Sequence, residues 1–351
     1  MIEYSLKILS LLLFVFSLMF CLKKRKHTTI FAPSETQSSF SIDSKENTKE
    51  FTFKGKRVGS ISFSHDSKLL AIGIWTNGIE KDLKSIKIFS LEEDRIIEEL
   101  ETGVLDPHYL KFKKNGELIA ALKGGIIRIY DNKLKKRKDF FSNEGSEIVY
   151  NTNYLDYSEY LQLYFIKTDV GLYRSIKSIK DENGNAPNFY TNLIEGLFHA
   201  SFSNDGKLMA VYNISLKVID TEQDKILSSI DLASVYSVIK FDYESKLIAA
   251  ISKKPTNDLF IYSINDLKIV KKFGNGKTIS HFDFFKNESK IAIAYFDGVI
   301  DIIDVNSEKV IISENYSRTA NYFYFDISHD GKYLAATNFM IGHPLLLWKL
   351  K

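Results

Sequence analysis

A single cysteine, Cys21, stands among 351 residues, so no intramolecular disulfide can form and the fold rests on packing alone. Proline is scarce, with five residues in all, which argues against a disordered proline-rich body. Charge of one sign is lacking as well: 47 Lys and Arg face 44 Asp and Glu, a net charge of +3. That balance supplies no broad field for steering toward nucleic acid, which is not an expected partner. Motifs of chemistry are missing too. The sequence holds no Gly-x-x-x-x-Gly-Lys-Ser/Thr phosphate loop, no Gly-x-Ser-x-Gly elbow, no His-Glu-x-x-His and no Cys-x-x-Cys. No cofactor or metal is therefore expected, and no nucleophile–base pair stands out.

What the chain does have is a repeat. An apolar residue, a polar turn and a short hydrophobic run recur seven times. The clearest copies are Phe63-Ser-His-Asp-Ser-Lys-Leu-Leu-Ala71, Phe202-Ser-Asn-Asp-Gly-Lys-Leu-Met-Ala210 and Ile327-Ser-His-Asp-Gly-Lys-Tyr-Leu-Ala335. Weaker copies begin at Phe112, Leu155, Phe241 and Phe285, so successive anchors lie 49, 43, 47, 39, 44 and 42 residues apart. A period in the low forties is the mark of four-stranded propeller blades. In the fourth repeat the strands are predicted at Leu197–Ser203, Leu208–Asn213, Leu216–Asp220 and about Ile226–Ile230, with Asn204-Asp-Gly206 as the hairpin turn. The third strand recurs as Ile86–Ser90, Ile127–Asp131, Leu259–Ser263, Ile300–Asp304 and Leu345–Lys349. Its near-continuous apolar runs suit strands covered on both faces.

These repeats resemble the WD40-like and YVTN-like propeller families over about residues 50–351. Tyr130-Asp131, Ile219-Asp220 and Ile303-Asp304 occupy the place of the Trp-Asp pair, and Leu216-Lys-Val-Ile-Asp-Thr221 is similar to a YVTN-type repeat. No Gly-His dipeptide precedes the first strand of a repeat. The resemblance implies an all-β, seven-bladed β-propeller with four antiparallel strands per blade. It also implies closure by an N-terminal strand, Glu50-Phe-Thr-Phe-Lys54, which completes the last blade and leaves no free edge.

The chain divides into residues 1–27, 28–49 and 50–351. In the first, Ile8 to Leu22 form an unbroken apolar or weakly polar run, followed at once by Lys23-Lys-Arg-Lys26. Three readings compete: an uncleaved anchor, a secretory signal with a poor basic start, and a lipoprotein signal in which Leu18-Met-Phe-Cys21 places Cys21 for lipidation. Membrane association is expected in each. The positive-inside rule puts the propeller on the cytoplasmic side, and lipidation would instead mean export to the cell envelope. Residues 28–49 are polar and read as a flexible tether.

Candidate sites follow from the expected topology. The a–b and c–d turns lie on one face, and the b–c and d–a connections on the other. Irregular segments, among them Trp75 to Leu83, Lys180 to Thr191, Lys253 to Asp258 and Phe339 to His343, gather on the second face. Recognition usually resides in such loops. Trp75, Asn77, Phe339 and Met340 are therefore candidates for protein binding, blades 7 and 1 being neighbours after closure. His108 and His281 stand four residues before the anchors of blades 2 and 6, as candidates at the channel mouth. No second His or ring of carboxylates accompanies them, which favours a structural role over metal binding. Asp181-Glu-Asn-Gly-Asn185 fails as a calcium loop, since Ala186 and Asn192 stand where Gly and Glu are needed. Lys133 to Lys138 holds five basic residues in six, at an outer hairpin where Lys guards an edge strand.

The function expected is a non-enzymatic, membrane-tethered scaffold that presents its loop-rich face to a protein partner. The alternative is a hydrolase or lactonase-like propeller with a site at the central channel, which rests on fold analogy alone.

Overall fold

The computed structural model describes residues 40–350, apart from 46, 77–83, 104, 125, 142–151, 159–162, 169–172, 178–198, 213–214, 224, 232–235, 253–256, 275, 287, 317–322 and 339–342. The described residues form strands and turns with no helix. Two strands, β1 (Phe40–Lys45) and β2 (Thr48–Phe53), precede the repeats. Blade 1 comprises β3 (Lys56–Phe63), β4 (Leu69–Thr76), β5 (Lys84–Ser90) and β6 (Arg95–Gly103). Blade 2 comprises β7 (Pro107–Phe112), β8 (Leu118–Leu122), β9 (Ile126–Tyr130) and β10 (Lys136–Phe141). Three strands are described in blade 3: β11 (Thr152–Ser158), β12 (Leu163–Thr168) and β13 (Tyr173–Lys177).

Blade 4 is β14 (His199–Phe202), β15 (Leu208–Tyr212), β16 (Ser215–Asp220) and β17 (Lys225–Asp231). Blade 5 is β18 (Tyr236–Phe241), β19 (Leu247–Ser252), β20 (Leu259–Ser263) and β21 (Ile269–Phe273). Blade 6 is β22 (Ile279–Phe284), β23 (Lys290–Tyr295), β24 (Val299–Asp304) and β25 (Val310–Asn315). The last sheet has the order β1-β2-β28-β27-β26, with β26 (Phe323–Ile327), β27 (Tyr333–Asn338) and β28 (Leu345–Lys349). Seven antiparallel sheets among the described residues thus match the seven repeats.

Local chemistry explains the recurring turn. Ser64, Ser203 and Ser328 each donate a hydroxyl hydrogen bond to the Asp two residues on, at 2.6, 2.7 and 2.8 Å. Each hydroxyl also accepts the N–H that opens the second strand, from Leu69, Leu208 and Tyr333 at 2.9 Å. Gly206 and Gly331 supply the left-handed residue that closes the turn, with φ of 75° and 71°. In blades 1 and 5 Ser67 and Ser245 adopt the same conformation, both with φ of 58°. An Asp at or just past the end of the third strand caps its own hairpin: Asp131, after β9, accepts from Lys133 N and Lys135 N, and Asp220, the last residue of β16, from Glu222 N and Gln223 N. An Asp is favoured there for a local Asx-type turn, whatever else the blade contains.

Apolar side chains from facing sheets make the core. Phe282, Ile291 and Ile293 of blade 6 pack with Ile251, Leu259 and Ile261 of blade 5, all buried. Phe51 and Phe53 of β2 join Ile61, Leu70 and Ile72 of blade 1 and Leu345 and Leu347 of β28. The last sheet also bonds the first, since Thr337 Oγ1 donates to Val58 O at 3.1 Å.

Four expectations need correction. In blade 3 the anchor is Tyr157, two residues past Leu155, because Asp156 before it accepts from Phe202 N of the next blade as Ser62 accepts from Phe112 N. The tether was predicted to run to residue 49, yet Phe40–Lys45 pairs antiparallel with β2 as a fifth strand of the last sheet. An outer strand needs backbone partners on one side only, so two apolar residues, Phe40 and Ile42, were too weak a sequence signal. The closing strand spans Thr48–Phe53, two residues earlier than predicted at its start, and pairs with β28 from Thr48↔Trp348 to Phe51↔Leu345. The anchor of blade 6 is Phe284, because Phe285 N bonds Lys290 O as Ser64 N bonds Leu69 O in blade 1. A doubled Phe hid that register.

Phe51 has no exposed surface and meets Phe89 edge-to-face, with ring centroids 4.9 Å apart. Phe51→Ala is expected to cost about 3–5 kcal/mol, read as a lower urea midpoint at unchanged slope. A loss below about 1 kcal/mol would mean that β2 adds little to the last sheet.

Candidate functional site

The residue just before each anchor defines an inner belt. In blade order these are Ser62, Lys111, Asp156, Ser201, Lys240, Asp283 and Asp326, one from each innermost strand. Small residues face most of them on the second strand: Ala71, Ala210, Ala249, Ala292 and Ala335. Each belt side chain turns toward a neighbouring blade. Asp326 Oδ2 accepts from Phe63 N at 2.8 Å, Ser62 Oγ from Phe112 N at 3.1 Å, and Asp156 Oδ2 from Phe202 N at 2.9 Å. Lys111 pairs with Asp156, and Lys240 with Asp283 at 2.7 Å.

Above the belt opens a cavity of about 290 Å³ on the side of the a–b turns, lined by all seven blades. Lys114 and Lys286, in the turns of blades 2 and 6, stand at its mouth. So do His65 and His329, whose rings lie 4.2 Å apart in the turns of blades 1 and 7. Tyr109 and Tyr324 line the cavity beside the belt, edge-to-face with centroids 6.3 Å apart.

Burial sets the protonation states. Asp326 is pushed up to about 6, first by burial and then by the nearby Asp283 carboxylate, against the pull of Phe63 N–H and Lys240. His329 is held down at about 4, first by burial and then by the positive charge of His65, Lys286, Lys111 and Lys114. The mouth is thus positive and the belt partly acidic. Among the described residues no group of three or more His, Cys, Asp or Glu is arranged to hold a metal ion.

The predicted site residues fall elsewhere. Trp75 is the last residue but one of β4, and its Nε1 donates to Pro107 O of blade 2 at 2.7 Å. Its ring lies 4.4 Å from that of His108, and the Arg57 guanidinium sits 5.4 Å from the indole. Two residues predicted for different roles therefore form one contact between blades 1 and 2. His281 lies apart, between blades 6 and 7, with its ring 5.0 Å from both Tyr324 and Phe325. Its pKa falls well below the ordinary value, through burial and then the charge of Lys240 and His199. Asn77, Phe339, Met340 and Cys21 lie outside the described residues, as does most of the loop-rich face. Among the described residues no helix is long and apolar enough to cross a membrane.

Sequence reasoning missed the belt. Its signal was present: a Ser, Lys or Asp directly before each aromatic or Ile anchor, inside an otherwise apolar strand.

Comparison with known proteins gives the fold alone. No protein-family model matches the chain, and no curated protein does. Among solved structures it is similar to the β-propeller domain of Cps50 (Swd1) from Myceliophteria thermophila, with 11% identity and a TM-score of 0.67 over 89% of this chain and 100% of that one. It is also similar to a chain of the mitotic checkpoint complex, with 12% identity and a TM-score of 0.64 over 84% of this chain and 87% of that one. The described residues are thus all-β, with the fold of a β-propeller domain.

Two measurements check this geometry. A Cβ at Gly59 would collide with the Trp75 indole, so Gly59→Ala should cost about 1–3 kcal/mol. In a double-mutant cycle with Trp75→Ala that cost should largely vanish; additive losses would mean that the indole does not lie on Gly59. The second is pH dependence. Asp326 at about 6 binds its proton more tightly in the folded chain than at the ordinary 3.8, so its contribution is full below pH 3.8 and is lost as pH rises through 6. His329 at about 4 against 6.5 has the opposite sign: its contribution is full above pH 6.5 and is lost as pH falls through 4. Urea midpoints between those limits should therefore rise more steeply with pH in Asp326→Asn than in the wild type, and less steeply in His329→Gln. Parallel curves would remove both assignments.

Proposed function

We propose that the protein is a non-enzymatic interaction scaffold, held at a membrane by its N-terminal segment, that receives a carboxylate-bearing segment of a protein partner in the central cavity. The cavity carries the reading. Its mouth presents Lys114, which donates to Asn204 O at 3.0 Å, and Lys286, whose ammonium lies 5.0 Å from the Tyr243 ring, while acids and hydroxyls below are engaged in bonds between blades. Groups tied in that way hold a surface rigid for binding and are not poised as nucleophile and base. A volume of about 290 Å³ suits one or two side chains of an inserted loop or chain end. The structural neighbours support a propeller scaffold by fold, and one of them is a chain of a multiprotein complex. Membrane tethering rests on the apolar run Ile8–Leu22 and the basic cluster after it.

The loop-rich face expected to bind the partner lies mostly outside the described residues, and Trp75, its described candidate, is engaged between blades 1 and 2. The described geometry thus favours the a–b face. A photo-crosslinking residue at Lys114 or Lys286, with Lys54 in the β2–β3 turn as the control, should capture the partner from solubilised membranes at the first two positions only. Lys114→Glu/Lys286→Glu should weaken recovery about tenfold, the equivalent of ~1.4 kcal/mol. Capture at Lys54 alone, or unchanged recovery by the double variant, would overturn the assignment.

A further inference from the structure

The outermost strands of blades 4, 5 and 6 share a pattern that neither the core nor the cavity uses. Each opens with a Lys followed by two aliphatic residues: Lys225-Ile226-Leu227 in β17, Lys268-Ile269-Val270 across the start of β21, and Lys309-Val310-Ile311 across the start of β25. All six aliphatic side chains are between 45% and 55% exposed. A bulge at the same place in each blade accounts for this. Ile219 pairs with Ile226 but Val218 with Ser228, and the same skip occurs at Val270 and Ile311. The extra residue breaks the alternation of faces and leaves two successive side chains standing out from the rim.

Among the described residues the pattern occurs on these adjoining blades alone. In blade 1 the equivalent pair, Ile96 and Ile97, is half-buried against the core and followed by Glu98 and Glu99. In blade 2 the equivalent residues are Lys136 and Arg137. One stretch of rim therefore carries exposed aliphatics with a Lys beside each pair, at one height on three consecutive blades.

Chemistry narrows what covers it. A bulged edge resists pairing with another strand. The three pairs and their lysines include no Trp, Tyr or Arg, the residues that anchor protein interfaces. Asp266 pairs with Lys268 at 3.1 Å, an exposed contact that an anionic headgroup would replace, and Glu308 pairs with Lys271 at 2.6 Å. Aliphatic side chains that enter a hydrocarbon boundary, with ammonium groups beside them at headgroup level, are the signature of an interfacial membrane contact. The chain also carries the apolar run Ile8–Leu22, joined to the described residues by a short connecting segment.

We infer that the rim of blades 4–6 is a lipid-facing surface that lies on a bilayer with anionic headgroups; this rests on the membrane tether proposed above. The test uses the full chain with Cys21→Ser and one new cysteine, Val270→Cys, or Glu98→Cys as the rim control. Each is labelled with an environment-sensitive fluorophore and added to phosphatidylcholine vesicles that contain phosphatidylglycerol and a spin-labelled quencher lipid. Flotation reads the tether, and quenching reads the rim. The label at 270 should be quenched several-fold more strongly than that at 98. The excess should disappear without phosphatidylglycerol or in Lys225→Glu/Lys268→Glu/Lys309→Glu, whose β-type circular dichroism should be unchanged.

Flotation with equal quenching at both positions overturns the rim contact and leaves the tether standing. Selective quenching at 270 while the N-terminal segment remains open to protease does the reverse. Shielding of the 270 label that needs no vesicles and grows with protein concentration overturns the inference in favour of a second copy of the chain.

Discussion

The inner edge of each sheet sets the terms for the rest of the molecule. An innermost strand pairs on one side only, so its N–H groups toward the channel have no strand to bond. A buried N–H without an acceptor costs as much as several good contacts bring. The protein meets this demand with side chains from the preceding blade: Asp326 for Phe63, Ser62 for Phe112, Asp156 for Phe202. Each such bond joins two blades at the level where the apolar contacts between sheets begin. The belt is therefore a condition of packing the blades, and the polarity of the cavity above it follows from that condition.

Much of this was legible in the sequence, and the reasons differ by element. The repeat could be read because its turn uses a Ser, an Asp and a left-handed residue at fixed offsets, a pattern dictated by local hydrogen bonds. The last sheet could be read because β28 ends the repeats without a fourth strand while Phe51 and Phe53 stand alone before the first. Blade 6 was misread by one residue because Phe284 and Phe285 are equally good anchors on composition. β1 was missed because a strand paired on one side only needs no marked apolar run. Trp75 and His108 looked like separate surface candidates, since nothing in the chain order announces that the end of β4 leans on the start of β7.

The belt was overlooked for another reason. A Lys or Asp within an apolar strand reads as ordinary alternation until seven such positions are superposed, and only then does one polar residue per blade become a ring. The same superposition separates structure from use. Turn serines, capping aspartates and belt residues recur because every blade must be built the same way. The outer strands obey no such demand, and there the blades diverge into acidic, basic and aliphatic stretches.

The fifth strand has a mechanical meaning. β1 runs antiparallel to β2, with Phe40 opposite Phe53 and Lys45 opposite Thr48. A pull on the chain ahead of Phe40 meets the Phe40–Phe53 pair first, and the hairpin opens one rung at a time. Peeling of this kind yields at far lower force than shearing whole strands past one another. β1 is thus the strand that such a pull would open first, while β2 is held by β28 and by the buried rings of Phe51 and Phe89.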